Sequence, residues 1–165
     1  MEIRLETAGD ADAVRALNRA AFGRDDEADI VDRLRERGAG YLALVVQADG
    51  EIVGHIVFSR VTLDPPVSDV SAVGLAPMAV APEQQRRGIG SALVRAGLHA
   101  CRAADHDAVF VLGHPTYYPR FGFAPSANVH DTYGAPPEAF MALALRLGAL
   151  DGVVGTAHYD PALAE

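Results

Sequence analysis

Residues 74–90 carry the clearest chemistry in the sequence: Gly-Leu-Ala-Pro-Met-Ala-Val-Ala-Pro-Glu-Gln-Gln-Arg-Arg-Gly-Ile-Gly. The first half is apolar and suits a strand. The second half, Gln85-Arg86-Arg87-Gly88-Ile89-Gly90, suits a turn that opens a helix. A helix N-terminus presents N–H groups without intrahelical partners, and these suit phosphate oxygens. Gly88 and Gly90 carry no Cβ, so a ligand can approach the backbone closely there. Arg86 and Arg87 add charge of the right sign. A lone glycine pair is a weak signal, and the alternative is a plain loop-to-helix junction with solvated arginines. Pro82 and a proline inside the strand weigh against that alternative. The expected ligand bears a pyrophosphate.

The strand proline is Pro77, between Leu75 and Val80. Proline cannot donate to a sheet ladder, so it belongs at an edge or a bulge. A bulge here bends the strand away from its neighbour. Two parallel strands that splay leave a slot with unpaired backbone groups, and an extended amide-containing ligand can pair with them as an added strand would. The plainer alternative is a proline at an ordinary strand end.

The remaining reactive residue types are scattered. His55, His99, His106, His114, His130 and His158 show no paired metal spacing, so no metal is expected. Cys101 sits among small apolar residues of a helix and suits a buried core thiol better than a nucleophile. Asp25, Asp26 and Glu27 begin a helix, where acidic residues favour the dipole.

The elements that position these residues follow from periodicity. Ile3 and Leu5 alternate with charged residues in a short first strand. Thr7 caps a helix through about Ala21, with Val14, Leu17 and Ala21 on its apolar face. A second helix runs from about Glu27 to Arg37 and stops at Gly38 and Gly40. Tyr41 to Gln47, the turn Asp49-Gly50, and Ile52 to Leu63 form a hairpin. Val70 to Val80 is the next strand. A helix follows from Gly88 to about Ala104, with Ile89, Leu93, Ala96 and Ala100 inward. Ala108 to Leu112 is fully apolar, as a buried central strand is. A helical turn spans Thr116 to Phe121. Phe140 to Leu147 and Val153 to Tyr159 are two final strands. This order builds a mixed α/β sheet with helices on both faces.

At 165 residues, with half of them hydrophobic, the chain is expected to form one folded domain over residues 1–165. A net charge of −8 argues against general affinity for nucleic acid or anionic membrane, and leaves room for a local basic pocket. A single cysteine excludes an internal disulfide and fits a reducing compartment. The N-terminus has no apolar signal core, and no apolar run reaches the ~18 residues of a membrane span. A cytoplasmic protein is expected.

The string Met78-Ala79-Val80, then Gln85-x-x-Gly88-x-Gly90, then Ser91-Ala92-Leu93, resembles motif A of the GNAT superfamily of N-acetyltransferases. Tyr118-Pro119-Arg120-Phe121-Gly122-Phe123 resembles that family's Tyr-x-x-x-Gly-Phe element. The longer string Val111 to Phe123 is similar to a bacterial branch of predicted acetyltransferases, as are Phe140 to Leu143 and Gly155 to Leu163. The resemblance implies a mostly antiparallel sheet of six to seven strands with splayed parallel fourth and fifth strands. It implies acetyl-CoA as co-substrate, with an amine acceptor that is a small molecule or a protein. Backbone groups of Met78 and Val80, flanking Ala79, would hold the acetyl carbonyl and pantetheine arm. N–H groups from Gln85 through Arg86, Arg87, Gly88, Ile89 and Gly90, with Ser91, would cradle the pyrophosphate. Tyr118 would protonate the leaving thiolate, although Tyr117 beside it leaves that assignment open. Many family members use a fourth-strand glutamate or a water chain as base, and Val70 to Val80 contains no carboxylate. His114 lies just past the buried strand, at the end where ligands bind in such sheets, and is the candidate base; the alternative is a turn histidine before Pro115. An acyl-CoA-binding sensor without transfer activity is the other expectation, and the late strands with Phe140 would support a homodimer.

Overall fold

The computed structural model describes residues 1–164. Strand β1 (Glu2–Leu5) lies at a sheet edge and leads to helix α1 (Ala11–Phe22) through a short 3-10 turn, Ala8–Asp10. The Asp10 carboxylate accepts from the Thr7 N–H (2.8 Å) and hydroxyl (3.0 Å), fixing the entry to the helix. Helix α2 (Asp26–Arg37) has Asp26, Glu27 and Asp29 in its first turn and Arg35 and Arg37 in its last, matching the helix dipole. Strands β2 (Leu42–Ala48) and β3 (Glu51–Asp64) form the hairpin expected around Asp49-Gly50. Both turn residues have positive φ, 52° and 80°, as a type I′ turn requires.

Strand β4 (Ala72–Val80), helix α3 (Ile89–Ala103) and strand β5 (Ala108–Leu112) follow, then β6 (Ala124–Pro125), β7 (Val129–His130), β8 (Phe140–Ala144) and β9 (Gly155–His158). The main sheet runs β1-β2-β3-β4-β5-β8-β6, and β9 joins the far end of β3 to β7. Seven strands in one path agree with the expected mixed, mostly antiparallel sheet. The two-residue strands β6 and β7 are too short to carry a periodic signal. The two final long strands also part company: β8 pairs with β5, whereas β9 pairs with β3.

Side chains alternate across β3, so its two faces meet different helices. Ile56 and Phe58 pack with Ile89, Leu93 and Leu98 of α3. Val57 packs with Val14 of α1 and Val31 and Leu34 of α2. The buried stripe of α3 is Ile89, Leu93, Val94, Gly97, Leu98 and Cys101. Ala96 and Ala100, expected inward, are only half-buried, because the stripe centres on Val94 and Leu98 instead. Phe140 is buried and stacks on Phe110 at 5.5 Å between centroids. It is core, and so unavailable as a dimer surface.

A buried polar cluster ties β1, α2 and β3 together. The Glu6 carboxylate accepts from Arg35 (3.0 and 3.2 Å), the Tyr41 hydroxyl (2.8 Å) and His55 Nε2 (2.9 Å). Burial alone would raise the Glu6 carboxyl. The bonds from His55, Arg35 and Tyr41 outweigh burial and hold it at about 2. Its folded-state value is therefore depressed below the ordinary ~4.3 of an unfolded glutamate. The stability it contributes is complete above pH ~5 and is lost as pH falls toward about 2. Glu6→Gln should lower unfolding stability by ~2 kcal/mol at neutral pH. Urea unfolding across pH should show that difference shrinking as the solution is acidified.

Candidate functional site

The parallel pairing of β4 with β5 covers only Ala72–Ala108, Val73–Val109 and Gly74–Phe110. Both strands continue beyond it, β4 from Leu75 to Val80 and β5 through Leu112, without further pairing to each other. The cause lies in β4. Opposite β3, Ile56 faces Met78 and Phe58 faces Leu75. Ala76 and Pro77 therefore share the place facing Val57, which is a one-residue bulge at the expected proline. The bulge re-aims the strand, and the two parallel strands open into a slot.

At the wide end of that slot, β4 runs into a 3-10 turn (Pro82–Gln84) and then α3. The Gln85 side-chain amide donates to the Val80 carbonyl (3.1 Å), tying the turn to the strand end. Arg86 (φ 63°) and Gly88 (φ 85°) are both left-handed. Such a turn directs successive backbone N–H groups to one side, a concavity that suits anions. Gly88 caps α3, and the first-turn N–H groups of the helix add to the same field. The resulting cavity, about 380 Å³, is lined by Val80, Gln85, Arg86, Gly88, Ile89, Gly90 and Ser91 of the expected cradle. Met78 reaches its edge: a Cβ on Gly90 would stand 3.6 Å from Met78 Cε and from the Tyr117 hydroxyl. Arg87 is exposed, with Nη1 donating to Gln84 Oε1 at 3.4 Å, and lies outside the cavity wall. Ala79 is buried in the core, its side chain away from the cavity.

The opposite wall comes from the 3-10 turn Tyr118–Phe121 and the residue before it. Tyr117 and Ser91 hydroxyls are 3.0 Å apart, and the Arg120 guanidinium lies 4.8 Å from the Tyr117 ring centroid, a cation–π contact. Tyr117 and Arg120 thus both line the cavity. The Tyr-x-x-x-Gly-Phe resemblance gives Arg120 no role. The signal for it is spacing, since residues three apart on a 3-10 turn share one face.

Tyr118 points elsewhere. It is 9% exposed, packs edge-on against Phe123 at 5.7 Å, and leaves no room for a Cβ on Gly113 at the end of β5. Burial, with a smaller contribution from Tyr117, pushes its phenol up to about 12. It is a protonated hydroxyl throughout the physiological range. His114 is exposed and outside the cavity. Its carbonyl accepts the Tyr117 N–H at 3.1 Å, so its visible role is to start the turn that positions both tyrosines. Asp25 and Glu27 form ion pairs with Arg19 (2.7 Å) and Arg24 (2.6 Å), bracing the α1–α2 corner. Among the described residues there is no cluster of three or more potential metal ligands, and no helix is long and apolar enough to cross a membrane.

Cys101 is fully buried, and burial raises its thiol to about 12. Thiolate is the reactive form, so thiol reagents should titrate no cysteine in the native protein and one after denaturation. Cys101→Ala should keep its activity.

Taken together, the site offers backbone N–H groups and arginine for a diphosphate, an open strand edge for an amide chain, and the paired Ser91 and Tyr117 hydroxyls on the cavity wall. The comparisons agree with that chemistry. The model of the acetyltransferase (GNAT) domain matches residues 2–126. The N-acetyltransferase YhbS of Escherichia coli is 38% identical over 163 residues, covering 96% of each chain. A crystal structure of E. coli YhbS in complex with CoA superposes with a TM-score of 0.92 at 34% identity, over 99% of this chain and 92% of that one. A GNAT acetyltransferase from Brucella melitensis in complex with acetyl-CoA gives a TM-score of 0.81 at 35% identity, over 98% and 96%. With the bulged β4, the slot and the glycine turn all in place, the chain belongs to the GNAT family of acetyltransferases.

Proposed function

We propose that this protein is an N-acetyltransferase that moves the acetyl group of acetyl-CoA directly onto an amine. The observation that carries the reading is the loss of β4–β5 pairing after Gly74, directly beside the glycine turn that opens α3. Relatives with that fold bind CoA and acetyl-CoA. In this chain the pyrophosphate sits against the N–H groups from Gln85 to Ser91, with Arg86 supplying charge. Met78 and Val80 offer backbone groups to the pantetheine arm and the acetyl carbonyl, polarising it for attack. The amine nitrogen bonds to the carbonyl carbon, the C–S bond breaks, Tyr118 donates its proton to the departing sulfur, and the proton that the nitrogen sheds restores the Tyr118 hydroxyl by way of solvent. Neither the residues nor this chemistry calls for a metal. The acceptor is a small-molecule or protein amine, and the reaction belongs in the cytoplasm.

The test is release of free CoA thiol from acetyl-CoA against a panel of primary amines, with acetylated product identified by mass. Amine-dependent release is expected. Tight CoA binding with no product from any amine would instead favour a sensor, the reading that the carboxylate-free β4 permits.

A further inference from the structure

Arginines elsewhere in the chain mostly have carboxylate partners, as Arg4 has Asp10 and Arg35 has Glu6. Around the cradle that pattern stops. Among the described residues, Arg86, Arg95 and Arg120 form no ion pair. With 22 acidic residues against 14 basic ones, carboxylates are not scarce. Arg86 and Arg120 line one cavity with the glycine turn, and Arg95 stands one helical turn beyond Ser91 on α3. Arg120 and Arg95 rest on neighbouring rings. The Arg120 guanidinium is 4.8 Å from the Tyr117 centroid, and that of Arg95 is 5.1 Å from the Phe121 centroid. The two rings meet edge-on at 5.2 Å, and the Tyr117 hydroxyl is tied to that of Ser91 at 3.0 Å. Arg120 therefore has a fixed support. A guanidinium resting on a ring still has its N–H edge free to give, and no described residue accepts a hydrogen bond from Arg120.

Like charges gathered without counter-ions repel one another in the free protein, and an anion that neutralises them is their natural occupant. The pyrophosphate already has the N–H groups from Gln85 to Ser91 and the charge of Arg86. Arg120, on the opposite wall, is surplus to it. CoA carries one further phosphate, on its ribose, one sugar away from the pyrophosphate. Resting on the acetyl-CoA reading above, we infer that Arg120 binds this ribose 3′-phosphate, its N–H edge donating to the phosphate oxygens, with Arg95 adding to the positive field. Guanidinium and phosphate match in charge and in fork geometry. The contact makes the protein select CoA over carriers with the same pantetheine arm and pyrophosphate that lack the ribose phosphate. The acetyl group lies at the other end of the cofactor, so Arg120 governs the choice of acetyl donor and not the transfer step.

Isothermal titration with CoA and with 3′-dephospho-CoA tests this in the wild type, Arg120→Gln and Arg102→Gln. The wild type should bind CoA about tenfold or more tighter than 3′-dephospho-CoA, the contribution of a charge-assisted hydrogen bond. That preference should shrink as salt rises. Arg120→Gln should weaken CoA about tenfold and leave 3′-dephospho-CoA within about twofold of wild type, so the preference is lost. Arg120 is exposed, so the free variant should melt as the wild type does. Arg102→Gln removes the same charge from the last turn of α3, about 20 Å along the helix from the cradle, and should leave both affinities near wild type. Equal affinity of the wild type for the two ligands overturns the inference. So does an unchanged preference in Arg120→Gln, or an equal weakening of both ligands, which would put that arginine on the pyrophosphate. A matching loss in Arg102→Gln overturns it too, by reducing the effect to net charge. These readings need no turnover. If CoA binds and no amine reacts, the transfer reading fails while the ribose-phosphate subsite is still decided. If the wild type binds neither ligand, both fall.

Discussion

Gly88→Glu should abolish measurable CoA binding. Nothing lies within 4 Å of a Cβ placed on Gly88, so the loss does not come from a clash. It has two other sources. The first is conformational: φ is 85°, and a non-glycine residue there costs ~1 kcal/mol. The second is charge. A glutamate at the N-terminus of α3 finds a favourable dipole and settles where the pyrophosphate belongs. Two unit charges 4 Å apart repel by about 4 kcal/mol at an effective dielectric of 20. A loss of about 100-fold needs less than that. Gly88→Ala carries the conformational cost without the charge, so it should melt lower and weaken CoA by about tenfold or less. Isothermal titration with CoA at two salt concentrations separates the terms, since only the charged variant should recover as salt rises. Wild-type CoA affinity in Gly88→Glu would remove the cradle from this turn.

Why the bulged strand and the glycine turn could be read from sequence, while the packing around them could not, follows from the range of the forces. Pro77 and the Gln85–Gly90 turn act locally. A missing N–H and a missing Cβ alter the backbone where they occur, so strand, bulge, turn and helix start were legible in a single stretch. The central strand Ala108–Leu112 was legible for the same reason, being apolar on both faces. Helix α3 shows the limit. Its period was plain, but which alanines face inward depends on Ile56 and Phe58 of β3. The Tyr117 and Tyr118 rings are adjacent in sequence and diverge in space, one to Ser91 and the cavity, the other to Phe123 and the core. Tyr159 meets Gly74 from the far end of the chain, and no periodicity announces a contact across that separation. The short β6 and β7 exist only because β8 and β9 are there to pair with them.

That divergence of the two tyrosines yields the second large effect. Tyr118→Phe should lower kcat by about 100-fold, the usual contribution of a positioned general acid, while KM for acetyl-CoA stays near wild type. The variant keeps the ring and its packing on Phe123, so stability should change little. An acid works while protonated and fails as pH rises through its pKa. Burial and Tyr117 raise the Tyr118 phenol from the ordinary tyrosine range to about 12. The alkaline limb it would impose therefore moves beyond pH 11, and wild-type kcat should show no fall near 10, where an exposed tyrosine ionises. Tyr117→Phe makes the contrast. It deletes the 3.0 Å contact with Ser91 and loosens the ring beneath Arg120, so it should raise KM for acetyl-CoA several-fold and leave kcat intact. The reverse result, with kcat lost in Tyr117→Phe and kept in Tyr118→Phe, would transfer the acid to the cavity wall. Its hydrogen bond to Ser91 would then be part of the proton path, and the buried tyrosine would be packing alone.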